Sequence, residues 1–131
     1  GQNDRMVSIN TALSVDLTGQ VCSESLGPVQ YSGTGGQLDT HRGAQKSRGG
    51  KGVIALRSTA KKGQISTITP MLAPGSQVTV PRQDLDWVVT EHGAVHLAGR
   101  TVSERARLLI SVAHPDFRDE LTKEAEKIGY L

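Results

Sequence analysis

Four stretches of the chain carry residue types at spacings that could do chemistry. In Gly33-Thr34-Gly35-Gly36 the backbone can approach a ligand closely because almost no side chain intervenes, and a nest-like turn there would present amide donors to an oxyanion. From the residues alone a plain structural turn is the favoured reading, since most Gly-Gly pairs merely solve backbone geometry. Ser58-Thr59-Ala60-Lys61-Lys62-Gly63 puts two flexible ammonium groups on a loop, where each can neutralise a phosphate as a point charge or stay solvated. Glu91 follows the apolar run Trp87-Val88-Val89 and precedes His92-Gly93, a position where open α/β sheets hold ligand-handling side chains beyond their strand ends. The alternatives for Glu91 are a turn cap or a pair with a nearby arginine. His114-Pro115-Asp116-Phe117-Arg118 invites a His–Asp dyad, but its neighbours match a helix-to-helix corner in which His114 caps the second helix.

Nucleotide motifs fail on spacing. A P-loop needs Gly-Lys-Ser/Thr at its end, and Gly52 follows Lys51; a dinucleotide fingerprint from Gly33 needs glycine at 38, where Leu38 stands. Asp84 and Asp86 read as turn and strand-edge residues rather than paired catalytic carboxylates. The single Cys22 cannot form an internal disulfide and supplies no zinc-ligand spacing, so no metal is expected.

These residues need elements to position them. Val7 to Leu17 alternates apolar and polar residues, the period of a strand. Thr18-Gly19-Gln20 then turns the chain into Val21–Ser25, a β-hairpin closing near Gly19. Gln37–Ala44 reads as a short helix with unpaired N–H groups at its start. Gly49-Gly50-Lys51-Gly52 makes a flexible turn into a buried strand at Val53–Leu56. Further strands are expected at Gln64–Ile68, Gln77–Val80 and Leu85–Thr90. From Thr101 the period becomes helical, opened by the capping box Thr101-Val102-Ser103-Glu104; Pro115 ends that helix and starts another, striped by Phe117, Leu121, Ala125 and Ile128 up to Gly129. The expected architecture over residues 1–131 is one open-sheet α/β domain with an N-terminal β-hairpin and a C-terminal helical hairpin.

Composition narrows the function classes. With 36% hydrophobic and 21% charged residues the chain is not disordered, and 131 residues suffice to bury roughly two-thirds of the unfolded surface around one core. His41, Arg42, Lys46, Arg48, Lys51, Arg57, Lys61 and Lys62 fall in a stretch with no acid, so a polyanion could bind there. Four aromatic residues are too few for the stacking that single-stranded nucleic acid requires, which favours a phosphate-bearing small molecule. No apolar run approaches the ~20 residues of a membrane span and no signal segment opens the chain, so the expected location is cytoplasmic. Gly1 reads as the start of a processed or cloned fragment.

Taken in order, Ser8-Ile9-Asn10-Thr11-Ala12, Gly35-Gly36-Gln37-Leu38-Asp39, Ser58-Thr59-Ala60-Lys61, Val88-Val89-Thr90-Glu91-His92-Gly93 and Ala113-His114-Pro115-Asp116-Phe117-Arg118 resemble the C-terminal half of the acetyl-CoA hydrolase/transferase family, whose members include 4-hydroxybutyrate and succinate CoA-transferases. The resemblance covers nearly the whole chain and implies the C-terminal domain of a class I CoA-transferase. By that resemblance the substrates are an acyl-CoA and a small carboxylate, and coenzyme A passes between them through a glutamyl-CoA thioester. The nucleophilic glutamate would lie upstream, in a missing N-terminal domain, so this chain alone is expected to be inactive; the full enzyme would form a homo-oligomer. Gly36, after Gly35, matches the glycine whose N–H lies near the thioester. Lys61, with Lys62 as rival, matches a CoA-binding lysine, Ser32 a CoA-contacting polar residue, and Glu91 an active-site glutamate that is not the nucleophile. Two departures stand out: Thr40 where many relatives have Phe, and His92 where an aromatic residue or Gln is common. An acyl-CoA thioesterase and a non-catalytic CoA-binding or assembly module are the alternatives.

Overall fold

The computed structural model describes residues 5–26, 29, 30 and 36–131. In chain order these form β1 (Val7–Thr11), β2 (Ser14–Asp16), β3 (Val21–Cys22), β4 (Ser25–Leu26), β5 (Val29–Gln30), α1 (Gln37–Lys46), β6 (Lys51–Ala55), β7 (Thr59–Ala60), β8 (Ile65–Ser66), β9 (Ile68–Thr69), β10 (Trp87–Thr90), β11 (Gly93–His96), α2 (Val102–Val112) and α3 (Pro115–Ile128). The principal sheet runs β1-β6-β10-β11, with β1, β6 and β10 parallel and β11 antiparallel. A second sheet runs β3-β2-β9, and β4-β5 and β7-β8 are two-stranded antiparallel sheets.

The helices start and stop where local chemistry requires. Thr101 Oγ1 accepts the Glu104 N–H at 3.2 Å while Glu104 Oε1 accepts the Thr101 N–H at 3.1 Å, closing the expected capping box on α2. Pro115 opens α3, His114 Nδ1 accepts the Asp116 N–H at 3.1 Å, and Gly129 ends the helix at φ 100°, a left-handed cap.

The tract from Val7 to Leu17 is two strands rather than one. Ala12 N–H donates to Ala55 O in the principal sheet, whereas Leu13 N–H donates to Cys22 O in the second, so the chain changes sheets between these residues. The hairpin at Gly19 therefore joins β2 to β3. Gln77–Val80 forms no strand: Thr79 and Val80 N–H both reach Val21 O in an isolated bridge, and Pro81 has no N–H to extend it. β11 was not expected, because Gly93-Ala94-Val95-His96 lacks strand composition; it forms because Glu91-His92 turns back on β10 with Gly93 at φ 142°.

The core gathers Val15, Leu17, Val21 and Ile68 from the second sheet with Ile54, Val88 and Val95 from the first, under Leu109, Val112 and Leu121 of α2 and α3. α1 lies close against β6 because Gly52 has no side chain; a Cβ there would come within 2.6 Å of His41 Cε1 and Nδ1.

Candidate active site

Parallel strands end on the same side, so the loops that leave them converge. The carboxyl ends of β1, β6 and β10 open here onto a cavity of about 760 Å³ that takes in Thr11, Ala55, Val89 and Thr90 from the strands and Arg57, Ala60, Thr67 and Glu91 from the segments beyond.

Glu91 is placed by its neighbours. Thr90 Oγ1 donates to Val112 O at the end of α2, at 2.6 Å, and accepts the His92 N–H at 3.0 Å, which pins the turn between β10 and β11. The carboxylate then faces Ser58, whose N–H donates to Glu91 Oε1 at 2.7 Å. Partial desolvation pushes the Glu91 carboxyl up, but the hydrogen bonds from Ser58, with a smaller effect of His92, outweigh it and hold the group below its ordinary value. Glu91 is thus anionic at neutral pH, on the cavity wall, and its partner is a backbone N–H rather than an arginine. Ser58 in turn is locked by β9's approach: its C=O accepts the Thr67 N–H at 3.0 Å, and Thr67 Oγ1 donates to Arg57 O.

Lys61 sits on the turn between β7 and β8, where Lys61, Lys62 and Gly63 take φ of 50°, 56° and 84°. It lines a second cleft, of about 480 Å³, which has Leu13, Ala60 and Thr67 in common with the first cavity. Lys62 lines neither cavity. Three members of the basic tract from His41 to Lys62 are buried or engaged: His41 is buried, Arg42 makes a two-pronged pair with Asp84 at 2.9 and 2.8 Å, and the Lys51 ammonium lies 5.6 Å over the Trp87 ring. Of the tract, Arg57 lines the first cavity and Lys61 the second cleft.

Gly36 is the N-cap of α1, without a side-chain cap, and the space its missing Cβ would fill is open to at least 4 Å. It does not itself line the cavity. Gln37 brings it near: Nε2 donates to Thr11 O at 2.9 Å and Oε1 accepts from Ser23 Oγ at 2.7 Å, fastening the helix start to the strand end that forms the cavity wall. Gly35 and Ser32 lie outside the described residues.

Sequence reasoning missed the contributions of Ser58 and Thr67, because both act through backbone groups that only sheet pairing brings together. It also underread Asp86. Rather than a strand-edge residue it is buried, with Oδ2 accepting the Gly52 N–H at 3.0 Å, Oδ1 meeting His96 Nε2 at 2.7 Å and its own N–H donating to His41 Nε2 at 3.1 Å. This cluster stands at the amino end of β10, opposite Glu91, and binds α1 to the sheet. His114 keeps to the corner expected of it, its ring edge-on to His92 at 5.4 Å. Among the described residues no group of three or more His, Cys, Asp or Glu side chains is placed to hold a metal ion.

The family described as acetyl-CoA hydrolase/transferase C-terminal domain matches residues 1–125. Curated relatives include a succinyl-CoA:cyclohexane-1-carboxylate CoA transferase from Geobacter metallireducens, 58% identical over 131 residues, which are 100% of this chain and 30% of the relative. A 4-hydroxybutyrate coenzyme A transferase from Clostridium kluyveri is 56% identical over 96% of this chain and 29% of its own. The crystal structure of RipA from Yersinia pestis superposes with a TM-score of 0.92 at 52% identity, covering 99% of this chain and 29% of RipA. The chain thus spans about 30% of the length of the relatives it matches.

Proposed function

The chain belongs to the acetyl-CoA hydrolase/transferase family, through that family's C-terminal domain, and we propose that it forms the CoA-facing half of a CoA-transferase acting on an acyl-CoA and a small carboxylate. The observation that carries this reading is the cavity at the carboxyl ends of three parallel strands, with anionic Glu91 on its wall and the Lys61 cleft beside it.

In the proposed cycle a glutamate of the N-terminal portion attacks the thioester carbonyl, giving an acyl-glutamyl anhydride and CoA thiolate. The thiolate attacks the glutamyl carbonyl, forming a glutamyl-CoA thioester and releasing the donor carboxylate. The acceptor carboxylate attacks that thioester and expels the thiolate, which returns to the acceptor's acyl carbon to give the new CoA ester and free glutamate. In this cycle the amide of Gly36, at the positive end of α1, is a donor to the tetrahedral oxyanion, an effect worth ~3 kcal/mol. Lys61 neutralises a CoA phosphate, and Glu91, fixed by Ser58, sets the charge and orientation at the acceptor end.

The test is made on the full-length protein with acetyl-CoA and a panel of short carboxylates. The expected result is transfer of CoA to a carboxylate together with a protein adduct of CoA mass. Release of acetate without transfer makes the protein a thioesterase, and binding of CoA with neither reaction makes it an assembly or carrier module. Lys61→Ala is expected to raise KM for the CoA ester with kcat little changed.

A further inference from the structure

Among the described residues, the principal sheet is covered on one face only. Its register sorts the side chains into two sets. The first faces the helices: His41 of α1 packs on Gly52, Asn10 Nδ2 donates to Thr40 Oγ1 of α1 at 3.3 Å, and Thr90 Oγ1 reaches Val112 O of α2. Ile54, Val88 and Val95 of this set are buried in the core. The opposite set includes Val7, Ile9, Val53, Trp87, Val89 and Ala94, with Lys51 and His96 beside the Trp87 ring, and none of these is buried. Val7 is 55% exposed and Ile9 68%.

That is an unusual state for this kind of sheet. Sheets built wholly of parallel strands occur almost only with both faces covered, and three of the four strands here are parallel. Val53 and Val89 belong to β6 and β10, the two interior strands, yet are only half-buried. The open face runs on to an open edge. Lys51 N–H donates to Met6 O and Ala12 N–H to Ala55 O, so the alternation of a parallel ladder turns the N–H and C=O of Val7 and Ile9 away from β6.

We propose that this face and edge are the docking surface for the N-terminal portion of the full-length protein, which lays an apolar layer across β1, β6 and β10. The occupant follows from length and position. This chain matches the family's C-terminal domain and spans 30% and 29% of its relatives, so the larger part of such a protein lies on the N-terminal side, close to β1. Tethering makes that docking intramolecular, at an effective concentration a free partner does not reach. Thr11, Ala55 and Val89 also line the Glu91 cavity, so a layer over this face would roof that cavity as well. The proposal rests on family membership and the burial pattern and not on the transferase reading.

The experiment uses full-length protein carrying p-benzoylphenylalanine in place of Ile9, irradiated and mapped by peptide mass spectrometry. The expected product is an intrachain adduct joining position 9 to a peptide N-terminal to Gly1. An intermolecular adduct of dimer mass would mean that a second copy covers the face, and no adduct would mean that it stays open; both overturn the proposal. Should that variant not fold, hydroxyl-radical footprinting of the unaltered full-length monomer reads Trp87 instead. Loss of Trp87 oxidation to the level of a buried residue upholds the proposal, and oxidation near the rate in the urea-unfolded chain defeats it. A protein that gives the intrachain adduct but transfers no CoA would sink the functional reading alone, and an active protein without the adduct this one alone.

Discussion

Glu91 and His41 are both shifted from their ordinary ionisation, for opposite physical reasons. Glu91 is exposed and held anionic by a backbone donor, Ser58 N–H at 2.7 Å. Glu91→Gln keeps an oxygen for that bond and removes the charge, so the full-length protein is expected to keep its melting temperature while kcat for CoA transfer falls by roughly 10²-fold, the scale of losing one organising group in an active site. Steady-state kinetics beside a thermal melt separates the two effects. His41 is fully buried, and desolvation lowers its pKa more than Asp86 and Asp84 raise it. Its folded value lies below the ordinary 6.5, so the native state binds fewer protons than the unfolded chain. Its contribution is therefore complete above about 6.5 and is lost as pH falls from there. Asp84 and Glu91, lowered from 3.8 and 4.5, add their own losses only in more acid solution. Urea titrations between pH 7 and 5 should show a decline in stability that is absent in His41→Gln; a flat wild-type profile would remove this account.

At the scale of elements, helix termini were legible because their chemistry is local. Thr101 and Glu104 cap each other three residues apart, and Pro115 and Gly129 bracket α3 by backbone geometry alone. Strand identity was less legible, because pairing decides it. β1 finds its partner more than forty residues away, Val7 opposite Lys51, and nothing within Val7–Leu17 marks the point at which the chain leaves that partner for β3. Gly52 shows the same dependence. In sequence it reads as one of several flexible glycines, but in the structure it is the surface on which His41 lies. Gly52→Ala is expected to cost about 1–3 kcal/mol, as for other overpacked core sites, because His41 must move off its bond with Asp86 N–H. The loss is read from the denaturation midpoint, and an unchanged midpoint would show that α1 can shift without penalty.

At the scale of the whole molecule, Arg105 joins parts that no local signal connects. It leaves α2 buried, donating through Nη1 to Thr18 O of the β2–β3 turn at 3.0 Å and to Arg82 O at 2.5 Å. Desolvation, with Arg82 nearby, lowers its pKa. Arg105→Met would leave two carbonyls without this donor and is expected to destabilise by about 1–3 kcal/mol. Arg105→Lys should not restore it fully, because the shorter lysine stem does not carry its ammonium to the place from which Nη1 meets both carbonyls. Chemical denaturation of the three proteins makes the comparison.

The sequence by itself determined the family, the C-terminal helical hairpin, the helix caps and the identity of Lys61 and Glu91 as candidates, because the caps and candidates rest on residues within a few positions of one another and the family on short motifs kept in order along the chain. Tertiary structure alone decided which backbone N–H holds Glu91, that Lys61 faces a cleft adjoining its cavity, that His41, Arg42 and Lys51 of the basic tract are buried or engaged, and that among the described residues one sheet face is left uncovered. Those outcomes depend on register between distant strands, and a one-residue slip in a strand would turn every side chain to the other face.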